Sequence, residues 1–240
     1  ILETAIRSGE DLSQFCVSKV TDMANLFTSY NKSNPDITNW DVSNVSNMTG
    51  MFKGSSFNQD IGNWDVSNVV YMGEMFEATW SFNQNIGGWD VSNVTYMHRM
   101  FYKSSFNQDI NTWDVSNVTI MRGMFMDAGN FNQNIGDWDV SNVIYMEEMF
   151  RRATSFNQDI GNWDVSNVVD MSSVFAGASS FNRDISNWDV TNVEYMYEMF
   201  RNASAYNQDL SQWCVTSIIS LPFNFNYGSD LTASKLPVWG

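Results

Sequence analysis

Seven aspartates stand at one point of a recurring hexapeptide. Asp41, Asp65, Asp90, Asp114, Asp139 and Asp164 lie in copies of WDVSNV, and Asp189 lies in WDVTNV. If the copies stack, neighbouring carboxylates come within roughly 5 Å of one another. Two unit charges at that distance repel by about 1 kcal/mol in water and by several times more near a protein surface. Three chemistries could relieve the column. Each carboxylate could accept hydrogen bonds from the Ser two residues on, from backbone N–H groups or from an Asn of the next copy, which favours its charged form. A cation such as calcium could bridge carboxylates beside Asn and Ser oxygens. The column could also be a recognition stripe for a basic partner. At this level all three stay open, and a metal site is neither assigned nor excluded.

Other residues offer less chemistry. The one histidine, His98, stands at a position occupied elsewhere by Gly, Arg, Glu, Ser or Tyr, and no Ser or Cys nucleophile has an evident His partner. No Gly-rich phosphate loop occurs. An active site needs one place made different from its neighbours, whereas these acids repeat uniformly, so the expectation is a protein without catalysis. The Met columns sit at core spacing rather than as soft-metal ligands. Asn58, Asn83, Asn107, Asn132, Asn157, Asn182 and Asn207 form a second polar column suited to bonding copy to copy. Asp60, Asp109, Asp159, Asp184 and Asp209 alternate with Asn85 and Asn134, as a position wanting an acceptor would. A second candidate binding face is variable: Tyr71, Tyr96, Tyr145 and Tyr195, with Arg151 and Arg152, residue types that partner recognition favours. The plainer reading is that the tyrosines pack between adjacent helices and the charges are a solvated face.

These residues are positioned by a repeat. Trp40, Trp64, Trp89, Trp113, Trp138, Trp163, Trp188 and Trp213 recur every 24 or 25 residues, and Phe15 opens a degenerate copy. Length varies at one place, between MFKGSSF and MFRRATSF, which marks a loop. NWDVSNV alternates with the period of a strand. Met72, Met75, Phe76 and Thr79 follow at i, i+3, i+4 and i+7, the period of a helix face. The spacing therefore predicts an α/β solenoid of about nine coils, each a short parallel strand plus a short helix, with inward columns such as Ile61, Trp64, Val66, Val69 and Phe76. Residues 1–240 are expected to form one domain: a helical cap over 1–14, repeats over 15–218 and a second cap over 219–240.

The formal charge of −15 argues against nucleic-acid backbones and anionic lipid surfaces. No apolar run is long enough to insert into a membrane. ILETAIRSGEDL lacks the features of a signal peptide, and the chain reads as a mature or excised segment. Cys16 and Cys214 take the Asp slot in the first and last units, eight coils apart and ~40 Å distant by strand spacing, too far to pair with each other. Glycosylation tripeptides begin at Asn31, Asn44, Asn47, Asn93, Asn117 and Asn202; those at Asn44, Asn93 and Asn117 fall at packed strand ends.

IGNWDVSNV has the apolar-xx-apolar-x-apolar form of leucine-rich-repeat strands, with Ile61, Trp64 and Val66 in the apolar places. The whole unit, FNQDIGNWDVSNV followed by MxxMFxxA, resembles the 25-residue repeat of the BspA-like surface proteins, over residues 8–240. The resemblance implies a leucine-rich-repeat-like fold, an extracellular or cell-surface setting, and protein or surface-glycan partners bound in adhesion. It brings no catalytic residues. It also implies that Cys214 pairs with a cysteine beyond Gly240, because the tail WCV…PVWG is similar to the close of such arrays. The alternative is a structural spacer or scaffold subunit of a surface assembly, with calcium as a possible stabilising ion.

Overall fold

A computed structural model describes residues 2–31 and 34–240. Regular elements are few. Helix α1 spans Leu2–Ser8 and buries Ala5 and Ile6. Strands β1 (Cys214–Val215) and β2 (Val238–Trp239) pair in parallel, and one 3-10 turn covers Ala233–Lys235. The expected α/β solenoid, with a helix and a parallel strand in each coil, is not what forms. Turns build the repeats instead.

The segment expected as a helix shows why. Along 72–79, N–H groups are used alternately. Met72, Glu74, Phe76 and Ala78 donate to the next repeat, at Tyr96, His98, Met100 and Tyr102, over 2.7–3.0 Å. Met75, Glu77 and Thr79 donate to the carbonyl three residues back, at 3.0–3.3 Å. Glu74 and Ala78 carry φ of 60° and 52°, and both positions recur with positive φ from Asn25 and Ser29 to Asn224 and Gly228. A helix would spend every such N–H inside its own repeat. Two turns of isolated helix are also marginal in water. The turn chain links each repeat to the next, and that link offsets left-handed residues costing about 1–2 kcal/mol each where they are not Gly. Met72, Met75, Phe76 and Thr79 are nonetheless all buried. A run of three-residue turns turns inward the same positions that a helix would.

The expected strand segment departs likewise. Trp64 and Val66 point inward and Asp65 outward, as alternation requires. No strand ladder forms there, because Trp64 and Val69 donate their N–H groups back to Ile61 and Val66 in tight turns. Side chains join the repeats at this edge. Each indole N–H crosses to the carbonyl of the preceding repeat, from Trp40 to Leu12 through Trp213 to Ile185, at 3.0–3.3 Å. Parallel backbone bridges run elsewhere, through Asp22, Asn47, Tyr71, Tyr96, Ile120, Tyr145, Asp170 and Tyr195.

The core is a column of rings. Phe27, Phe52, Phe76, Phe101, Phe125, Phe150, Phe175 and Phe200 stack at 5.6–5.8 Å between centroids. A second column, Phe57 to Tyr206, lies against it at 3.8–4.2 Å. Such pairs contribute about 0.5–1.5 kcal/mol each beyond their buried area. At the C-terminal end, residues 222–228 add one more turn segment, accepting from Glu198, Phe200 and Asn202. Lys235 Nζ meets the Asn207 carbonyl at 2.6 Å, where Gln208 Nε2 meets Asn182 one repeat earlier.

Candidate functional site

The Asp column resolves into local bonds. Asp41, Asp65, Asp90, Asp114 and Asp189 each accept from the hydroxyl two residues on at 2.6 Å and from the same residue's N–H at 3.0–3.2 Å. Asp139 and Asp164 accept the N–H of Ser141 and Ser166. The hydroxyl first, then the N–H, holds the carboxyls of Asp41, Asp90, Asp114, Asp164 and Asp189 below the usual range. Neighbour repulsion acts the other way and is smaller: Asp90 raises Asp114, and Asp164 raises Asp189. Among the described residues, no group of three or more His, Cys, Asp or Glu side chains is placed to hold a metal ion. The charge of the column is met by donors of its own turn.

The Tyr face is discontinuous. Tyr71 stacks on Tyr96 at 5.2 Å, but Ile120 and Asp170 interrupt the column before Tyr145 and Tyr195. Tyr71, Tyr145 and Tyr195 are 43–44% exposed. The arginines lie at the far end of the turn segment. Arg151 Nη1 bonds Glu148 at 2.5 Å, and Arg152 Nη1 stands 3.6 Å from Asp127. The Asp, Tyr and Arg candidates thus occupy three parts of the repeat. His98 lies 3.7 Å from Glu74, and burial pushes its pKa down. Among the described residues no hydroxyl or thiol is hydrogen-bonded to it. Cys16 and Cys214 are free and exposed, and Val238 pairs with Cys214 in the adjoining rung. Ser18 draws the Cys16 thiol pKa down through its hydroxyl.

One surface was not anticipated. Asn117, Thr119, Asn142, Ile144, Asn167 and Val169 line an open groove of about 630 Å³ that crosses three repeats. Each Asn donates Nδ2 to a serine carbonyl of the preceding repeat: Asn117 to Ser92, Asn142 to Ser116 and Asn167 to Ser141, at 2.7–2.8 Å. The sequence does carry a mark of it. The residue after the buried Val of NVT, NVI and NVV is β-branched and faces out, against strict alternation. The same Asn bonding recurs at Asn44 and Asn93, so the amides of three glycosylation tripeptides are engaged. The tripeptide of Asn31 runs through residues 32 and 33, outside the described residues.

The repeat seen in three dimensions is also matched as sequence. A family model described as "Mycoplasma protein of unknown function, DUF285" matches residues 2–105, 84–169 and 130–239. The chain belongs to the DUF285 family. The three overlapping matches run along the length of the DUF285 repeats and fit tandem copies of one unit. Searches of curated proteins and of solved structures found no match. No described helix of this DUF285 chain is long and apolar enough to cross a membrane.

Proposed function

We propose that the chain is an extracellular or cell-surface binding module, without catalysis, that engages a protein or glycan partner through the outer side of its stacked repeats. One observation carries the reading. The Asn column ties repeat to repeat through its Nδ2 groups and the Asp column is tied within its own turn, while Tyr71, Tyr145, Ile144 and Tyr195 stay exposed. Stacked repeats present extended surfaces of the kind that solenoids use for binding. The BspA-like resemblance of the repeat supports the same surface role and belongs to this proposal. Beads coated with the chain should adhere to at least one of immobilised collagen, laminin or mucin above bare beads. Retention no greater than bare beads on every surface refutes the proposal.

A second reading, a scaffold subunit, is favoured by one feature. Ile219, Leu221, Phe223, Tyr227 and Val238 are all exposed near the C-terminal end, at 49–84%. Sedimentation that is independent of concentration removes this reading.

A further inference from the structure

We infer that the groove over Asn117, Asn142 and Asn167 is a binding site for a neutral, extended glycan lying along the stack, one sugar ring per repeat. The inference rests on the binding-module reading and names its ligand class.

The amides fix the chemistry. Only the NH2 side of an Asn can donate to a carbonyl, so the bonds to Ser92, Ser116 and Ser141 orient all three side chains. Their Oδ1 atoms must then face away from those carbonyls. Among the described residues no protein donor reaches them, and all three residues are exposed. The result is a comb of fixed acceptors, one from each repeat. A ligand that meets it must present hydroxyl or N–H donors at the same step. Beside the comb lies an apolar floor, Ile144 and Val169, with the methyl of Thr119. A pyranose ring offers both faces of this arrangement: hydroxyls at its edge and C–H groups on its flat side.

The floor also argues against a peptide. Thr119 N–H donates to Thr95, Ile144 N–H to Thr119 and Val169 N–H to Ile144, at 2.9–3.0 Å. That backbone is saturated, so no strand can add to it. No ionic side chain lines the groove, so nothing in it recognises a charged ligand. Its volume lies in the range of ordinary ligand sites.

The test is calorimetric titration of the intact chain with neutral β-1,4-linked glucose and N-acetylglucosamine oligosaccharides, from disaccharide to hexasaccharide. A glycine–serine decapeptide is the second arm. Affinity should rise by about tenfold or more between disaccharide and hexasaccharide of at least one series. It should fall by about tenfold or more in Ile144→Glu and in Thr119→Arg. Both positions are at the surface, so their melting temperatures should match the parent's. Trp80→Ala, at a 64% exposed ring outside the groove, should bind as the parent does. Absence of binding by every oligosaccharide overturns the inference. So does binding that both groove variants leave unchanged, or binding of the decapeptide alone. If beads adhere to the coated surfaces while all oligosaccharides fail, the binding-module reading stands and the glycan assignment falls.

Discussion

Tyr206 should be a weak point that one deletion repairs. It ends the second ring column, where the six preceding members from Phe57 to Phe181 lack a hydroxyl. Its ring does what those rings do, stacking at 4.1 Å on Phe200 and at 5.7 Å and 1° on Phe181. The side chain is fully buried, and its Oη has no hydrogen-bond partner. Burial accordingly pushes its ionisation far up. An unsatisfied buried polar group costs about 1–3 kcal/mol. Tyr206→Phe removes that cost, keeps both stacks and opens a void no larger than one oxygen. Stability should rise by about 1–2 kcal/mol, toward the lower end because a vacated oxygen site loses some dispersion contact. For a chain of this size that is about 2–8 °C in melting temperature. Urea and thermal unfolding, followed by tryptophan fluorescence, measure it. A variant no more stable than the parent would mean that the hydroxyl is solvated or bonded.

Further outcomes follow from the turns and the Asp column. Ala78→Gly should stabilise by about 0.5–1 kcal/mol, because relief at a φ of 52° exceeds the added freedom of the unfolded chain. Gly177→Ala should cost about 1–2 kcal/mol, since its φ is 73° and a new Cβ would meet Arg152 Cγ at 3.0 Å; chemical denaturation separates the two signs. Ser92→Ala removes the larger of the two bonds that depress Asp90, so its carboxyl resonance should titrate nearer the ordinary ~3.9. A depressed folded value means that the contribution of Asp90 is present above the unfolded pKa and lost as pH falls through the folded one. The variant should therefore lose its remaining share at a higher pH than the parent, as read by NMR titration and acid unfolding.

Much of the inside was legible and the backbone was not. Trp64, Val66, Met72, Met75 and Phe76 are buried as their periods required, because inward and outward positions depend on spacing alone. The hydrogen-bond path does not. The i, i+3, i+4, i+7 pattern fits a helix and a chain of three-residue turns equally well. The distinguishing mark was present but diluted. Gly50, Gly54, Gly123 and Gly177 fall on the two left-handed positions, and so do Asn25 and Asn202. At Glu74, Arg99 and Arg152 the same positions carry residues that give no such warning. The strand expectation failed for a related reason. Alternation says which way Trp faces, but not that its N–H replaces a backbone rung. The hydroxyls that answer the Asp charge were among the open possibilities, a Ser or, after Asp189, a Thr two residues on. The groove escaped because it depends on three neighbouring repeats and on which end of each amide is tied down.

The central claim is that the outward face of the stacked repeats binds a partner. It is tested most directly by a surface scan of bead adhesion to collagen, laminin and mucin. Asp90→Arg, Ile144→Glu, Tyr145→Ala and Arg151→Ala each alter one outer column. The account predicts that adhesion of the parent is lost in at least one of them, with its melting temperature unchanged. Adhesion that persists in all four, or that is lost only where the stack itself melts, contradicts it.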